Sequence, residues 1–110
     1  MFNPQHSKEE IEAELNKAIA TFSQHYDFKP SLLQYATIEF ANGKGKCSDF
    51  GAPCPEYLHG FATRTYAKVF CEPTDPIANT SLKHEITHIM LLRSNVPPDK
   101  QDEMMKTWGY

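Results

Sequence analysis

The feature that most constrains the fold is a helix-forming segment, residues 80–93, whose apolar side chains cover most of its surface. Only Lys83, Thr87 and Ser94 form a polar stripe along it. A helix that is apolar nearly all round is buried, so other elements of the chain must surround this one. The apolar positions in and just before the segment are Ile77, Leu82, Ile86, Ile89, Leu91 and Leu92.

The same segment contains an H-E-x-x-H pentapeptide, formed by His84, Glu85 and His88. Helical residues four apart stack on one face, so both imidazoles can reach one metal ion, and zinc suits such a pair. Glu85 lies about 100° round the helix from His84, where its carboxylate can hold a water molecule and accept its proton. The competing interpretation is a solvated face or a buried hydrogen-bonded pair, although buried histidines and a glutamate then need other partners.

The supporting elements follow from local signals. A capping box at Ser7 and Glu10 opens an amphipathic helix, which we expect to pack on a sheet and to end before Pro30. Residues 35–41 alternate as a half-buried strand, and Asn42-Gly43 is a favoured turn. Residues 58–72 have the composition of one long bent strand or a tight pair.

Two proline signals predict the limits of the C-terminal helices. Asp75 and Pro76 form a helix start, so the helix of the pentapeptide is expected to begin well before it. Pro97 and Pro98 end that helix and open a second one. The predicted order is helix, three or four strands, helix, helix.

The pentapeptide, its apolar helix and the strand-like residues 60–71 resemble the core of the zincin metallopeptidases. The order of elements is similar to the minimal gluzincins and, more loosely, to SprT-like domains. The resemblance covers residues 33–108 and implies a zincin-like α+β fold, with a small, mostly antiparallel sheet of three to four strands between an N-terminal helix and the active-site and C-terminal helices. At 110 residues, the whole chain, 1–110, is expected to be one domain.

The resemblance also implies a zinc metallopeptidase that acts on peptides or proteins, with His84 and His88 as zinc ligands and Glu85 as general base. Gluzincins take a third ligand from a Glu on the following helix, and this resemblance together with side-chain reach makes Glu103 the expected third ligand. Asp102 is the alternative, because the helical wheel places it closer to the apolar face. Asp99 fits best as a cap, and all three acids also suit a helix N-terminus without any metal.

In zincins an edge strand beside the active-site helix pairs with an extended substrate, and this role is expected here for residues 67–71, including Ala67 and Val69. Four side chains are candidate stabilisers of an oxyanion. They are His59, Arg64, Tyr66 and Tyr110. For the His and the Arg a surface role is the commoner outcome, and for the two Tyr residues a packing role is equally plausible.

Composition restricts the partners and the compartment. The formal net charge is −3 and the basic residues are scattered, so nucleic acid is not an expected partner. The sequence has no signal peptide and no membrane span, and three cysteines do not indicate a disulfide framework, so a cytoplasmic protein is expected. An alternative zinc site of Cys47, Cys54, His59 and Cys71 lacks the usual C-x-x-C spacing, and Cys71 fits better as a buried strand residue.

Two other functions are compatible with the same residues. One is a catalytically inactive zincin-like module that binds a metal or a protein partner. The other is a purely structural zinc site that joins the two C-terminal helices, in which case chelation would unfold the protein.

Overall fold

A computed structural model of the protein describes residues 7–42, 45–46, 57–58, 60–71 and 76–110. Over these residues it is a small α+β structure with three α-helices and a three-stranded mixed sheet. The elements are α1 (Lys8–Ser23), β1 (Thr37–Asn42), β2 (Gly45–Lys46), β3 (Tyr57–Leu58), β4 (Gly60–Ala62), β5 (Tyr66–Cys71), α2 (Leu82–Arg93) and α3 (Pro98–Thr107), with short 3₁₀ turns at Pro30–Leu32 and Ile77–Asn79.

Helix α1 begins at the predicted capping box. The Ser7 side chain accepts a hydrogen bond from the backbone N–H of Glu10 at 3.2 Å. The buried side chains of α1 include Ile11, Ala18 and Phe22, and α1 packs mainly against α2. The prediction that α1 packs on the sheet is therefore corrected. Because α2 is apolar on opposite sides, it lies against the sheet with one side and against α1 with another.

The three-stranded sheet has the order β1-β5-β4. β5 pairs in parallel with β1 and antiparallel with β4. The β4–β5 pair is the tight pair that was one of the two structures expected for residues 58–72. The sheet was expected to be mostly antiparallel, but it is mixed, since β1 and β5 are parallel. A parallel pair requires a long connection between its strands, and residues 43–65 separate β1 from β5 in the sequence. β2 and β3 form a separate antiparallel pair, and Gly43 of the expected turn lies outside the described residues.

Strand β5 is the central strand, and its alternate residues Ala67, Val69 and Cys71 are buried. The expectation that Ala67 and Val69 pair with a substrate is wrong, because β1 occupies one side of this segment and β4 the other. Among the strands that the structure describes, β4 is the edge strand that lies beside α2.

Helix α2 begins later than expected. Pro76 precedes only a 3₁₀ turn, and Thr80 is extended, with φ −85° and ψ 170°, so the α-helix begins at Leu82, two residues before His84. Asp75 lies outside the described residues. Helix α3 begins at Pro98, as the proline pair predicts. None of the helices in the described part of the chain combines the length and apolarity needed to span a membrane.

Candidate metal centre

The two histidines of the pentapeptide share one face of α2, and their Nε2 atoms lie 3.0 Å apart. Helix α3 passes beside this face and brings the Asp102 carboxylate to it. Asp102 Oδ1 lies 3.1 Å from His88 Nε2 and 3.7 Å from His84 Nε2. Three atoms that can bind a metal therefore converge from two helices.

Asp102 and Glu103 are adjacent on α3, and both side chains are exposed. The carboxylate that the structure brings to ion-pair distance from both imidazoles is that of Asp102. Gln101 and Met105 form the buried side of α3, and Asp102 comes directly after Gln101. Asp102 therefore stands at the margin between the buried side and solvent, where its carboxylate reaches α2.

The distances among the three atoms fit a tetrahedral zinc site. Donor atoms that each lie about 2.0–2.1 Å from a zinc ion are about 3.3 Å apart in a tetrahedron. The observed separations are 3.0, 3.1 and 3.7 Å. The donor set therefore has nearly the span that such a site requires.

The protons available to these atoms also favour a cation. The Nδ1 atom of His88 lies 2.7 Å from the oxygen atom Oε1 of Gln101, so Nδ1 donates the hydrogen bond. A neutral His88 then has a lone pair on Nε2, which faces the Asp102 carboxylate, itself an acceptor. A proton on Nε2 of either imidazole can serve one of these contacts at a time, whereas a divalent cation at the centre can contact all three atoms.

Glu85 adjoins this cluster but is buried, with 4% of its surface exposed. One possible ligand atom each from His84, Glu85 and His88 lies within 4.8 Å of the others. Burial raises the pKa of Glu85 from 4.5 to about 8, the Ser81 hydrogen bond opposes this rise, and the Asp102 charge adds to it. A buried carboxyl with a raised pKa beside candidate ligands is a typical feature of functional sites.

Strand β4 approaches Glu85 so closely that a side chain at Gly60 would collide with it. A Cβ atom at Gly60 would lie 2.4 Å from Ser81 Oγ, 2.7 Å from the Lys68 carbonyl oxygen and 2.9 Å from Glu85 Oε2. Neither Gly60 nor Ser81 was predicted as a site residue. A glycine within a strand pattern often marks a close approach of the backbone, and this signal could have identified Gly60.

The cluster opens to solvent on one side. The side chain of Asp102 is 77% exposed and that of His84 43%, whereas that of His88 is only 17% exposed. Burial and the neighbouring His88 lower the pKa of His84, against the opposite effect of Asp102. A lowered pKa favours the neutral imidazole, which is the form that binds a metal.

Three of the four candidate oxyanion residues have other partners in the structure, and the fourth, His59, lies outside the described residues. The Tyr66 hydroxyl donates to Glu39 Oε2 at 2.5 Å on the neighbouring strand β1. The Tyr110 hydroxyl lies 2.5 Å from Thr87 Oγ1, and an Arg64 guanidinium nitrogen lies 3.5 Å from the side-chain oxygen of Asn95.

The alternative cysteine site falls mostly on residues that the structure does not describe. Cys47, Cys54 and His59 lie outside the described ranges. Cys71 is buried at the end of β5, as expected for a small strand residue, with 5% of its surface exposed.

Comparisons with family models, with curated proteins and with solved structures found no match to this chain. The findings about its site are therefore those of its own residues: a His-Glu-His group that can bind a metal ion, next to an aspartate from the following helix.

Proposed function

We propose that the protein is a zinc metallopeptidase of the zincin type, with its site formed by His84, Glu85, His88 and Asp102. The observation that carries the proposal is the convergence of three donor atoms, separated by at most 3.7 Å, beside a buried carboxyl group. Two imidazoles and one carboxylate are a common donor set of catalytic zinc, which keeps a fourth position open. Strands β4 and β5 both lie beside α2, next to this site.

Each residue has a distinct role in this proposal. His84, His88 and Asp102 hold the metal, with Asp102 preferred to Glu103 because of its distances to both imidazoles. A zinc ion held by these residues would supply Lewis-acid chemistry, by which a carbonyl group is polarised and the pKa of a water molecule is lowered towards about 7. Glu85 accepts a proton from the water that attacks the peptide carbonyl carbon, and donates it to the amine that leaves when the C–N bond breaks.

The edge strand β4 is the proposed binding surface for an extended substrate. Its pairing with β5 uses one side of β4, and its Gly60 backbone lies next to Glu85 and Ser81. A peptide that adds to the other side of β4 as a further strand would be held by backbone hydrogen bonds.

The test is hydrolysis of a mixed peptide library by the zinc-loaded protein, with and without a chelator, followed by mass spectrometry. Wild-type protein should cleave peptides only with zinc. The Glu85→Gln variant should retain zinc and lose at least about 100-fold in rate, which is the usual contribution of a general base.

Two outcomes would overturn the proposal. If zinc-loaded wild-type protein left every peptide intact, the inactive metal- or protein-binding module would be the better interpretation. If Glu85→Gln cleaved as fast as wild type, Glu85 would not be the base.

A further inference from the structure

Gln101 is a buried amide whose two ends are both hydrogen-bonded. It is 1% exposed and lies on the inner side of α3. Its Nε2 donates to the Val96 carbonyl oxygen at 2.8 Å, and its Oε1 lies 2.7 Å from His88 Nδ1. Burying an unpaired amide costs about 1–3 kcal/mol, so both contacts matter for a side chain in this position.

The Val96 carbonyl fixes which way the amide points. A carbonyl oxygen accepts hydrogen bonds and cannot donate them, so the amide nitrogen of Gln101 must face Val96. The amide oxygen must then face His88, and it can only accept a proton from Nδ1. A neutral His88 is therefore protonated at Nδ1 and has its lone pair on Nε2, towards His84 and Asp102.

Val96 itself is held by the end of α2. Asn95 has a left-handed backbone, with φ 63°, and its N–H bonds to the Leu92 carbonyl oxygen at 3.1 Å. The N–H of Val96 bonds to the Leu91 carbonyl oxygen at 3.0 Å. These two bonds form a Schellman motif, a common and rigid helix end. The chain of contacts thus runs from the helix cap through Val96 and Gln101 to His88.

We propose that Gln101 is a positioning residue, which orients the His88 ring and fixes its Nδ1–H tautomer so that Nε2 is presented to the metal. The inference rests on the proposed function for its biological meaning, but the tautomer is a property of the metal-free protein. Partners of this kind around a metal-binding histidine typically change metal affinity or activity by 10- to 100-fold when they are removed.

Two variants distinguish positioning from packing. Gln101→Met has a similar length but cannot hydrogen-bond, so it loses both contacts. Gln101→Glu retains an oxygen that accepts from His88 Nδ1 but loses the N–H donor to Val96. If Gln101 only packs or caps the loop, both variants lose its bond to Val96, and their His88 tautomer and zinc affinity should change to the same extent. If Gln101 positions His88, the Gln101→Glu variant should keep the wild-type tautomer and zinc affinity, whereas Gln101→Met should lose both.

The first measurement is the tautomer of His88 in chelator-treated protein above pH 8, from the long-range ¹H–¹⁵N NMR couplings of its ring. Wild type and Gln101→Glu should have the proton on Nδ1, whereas Gln101→Met should populate the Nε2–H form. A wild-type ring protonated on Nε2 would overturn the inference, whatever the result for zinc.

The second measurement is zinc affinity by competition with a chromogenic chelator, with thermal unfolding to verify that each variant folds. Gln101→Met should bind zinc 10- to 100-fold more weakly and Gln101→Glu within a few-fold of wild type. Equal affinities for wild type and Gln101→Met would overturn the inference and leave the proposed function standing. Failure of wild type to bind zinc, with the Nδ1–H tautomer present, would instead overturn the function and leave the positioning role of Gln101 supported.

Discussion

Replacing Glu85 with Gln should change how the stability of the metal-free protein depends on pH. Burial raises the pKa of Glu85 from 4.5 to about 8 in the folded protein, with the Ser81 hydrogen bond opposing and the Asp102 charge assisting. Below pH 4.5 the carboxyl is protonated in both the folded and the unfolded state. Between 4.5 and about 8 only the folded state retains the proton, so unfolding releases it and the free energy of unfolding falls as pH rises.

The size of the effect follows from the width of that interval. Each pH step in which one proton is released on unfolding lowers the stability by about 1.4 kcal/mol. From pH 4.5 to about 8 the loss is about 5 kcal/mol, a large part of the stability of a small domain. Gln does not titrate, so Glu85→Gln should avoid this loss. The advantage of the variant over wild type should grow by about 5 kcal/mol and become constant above pH 8.

Urea unfolding followed by circular dichroism, at several pH values from 4 to 9 and with chelator present, measures this difference directly. The titrations of all other groups are common to both proteins and cancel in the comparison to first order. Saturating zinc should reduce the difference, because a nearby cation favours the ionised carboxylate. Parallel stability curves for the two metal-free proteins would refute the argument that burial keeps Glu85 protonated.

Three further predictions concern the surroundings of the site. Gly60→Ala would place a Cβ atom 2.9 Å from Glu85 Oε2 and still closer to a backbone carbonyl. Urea unfolding should therefore show that the free energy of unfolding falls by about 1–3 kcal/mol. Unchanged stability would contradict the close approach of β4 to Glu85. Asn95→Ala should lower the free energy of unfolding by about 1 kcal/mol, whereas Asn95→Gly should not, because a φ of 63° suits Asn and Gly but not Ala. Equal unfolding midpoints for these two variants would exclude backbone strain at this position. Asp102→Asn should weaken zinc binding in chelator competition at least about tenfold, whereas Glu103→Gln, its matched neighbour on α3, should not; the reverse order would make Glu103 the ligand.

Features that depend on neighbouring residues were predictable from the sequence. The capping box at Ser7 and the start of α3 at Pro98 both occur where local chemistry indicates them. The relation between His84 and His88 is also local, since four residues make about one helical turn. By contrast, the Asp75–Pro76 signal did not give the start of α2, because a 3₁₀ turn and the extended Thr80 intervene.

Features that depend on packing between distant elements were not predictable. The parallel pairing of β1 with β5 puts Ala67 and Val69 in the centre of the sheet, and alternation along one strand cannot reveal its neighbours. Whether Asp102 or Glu103 faces the histidines depends on the rotation of α3 against α2. The contact between Gln101 and His88 depends on the same packing, and no spacing in the sequence indicates it.

We propose that His84, His88 and Asp102 together bind zinc beside Glu85. An anomalous-scattering map recorded at the zinc absorption edge, from crystals grown with saturating zinc, shows whether they do. The map should contain one strong peak bonded to Nε2 of both histidines and to the Asp102 carboxylate. A map with no peak among these atoms, or with zinc bound only elsewhere on the protein, would refute the proposed site.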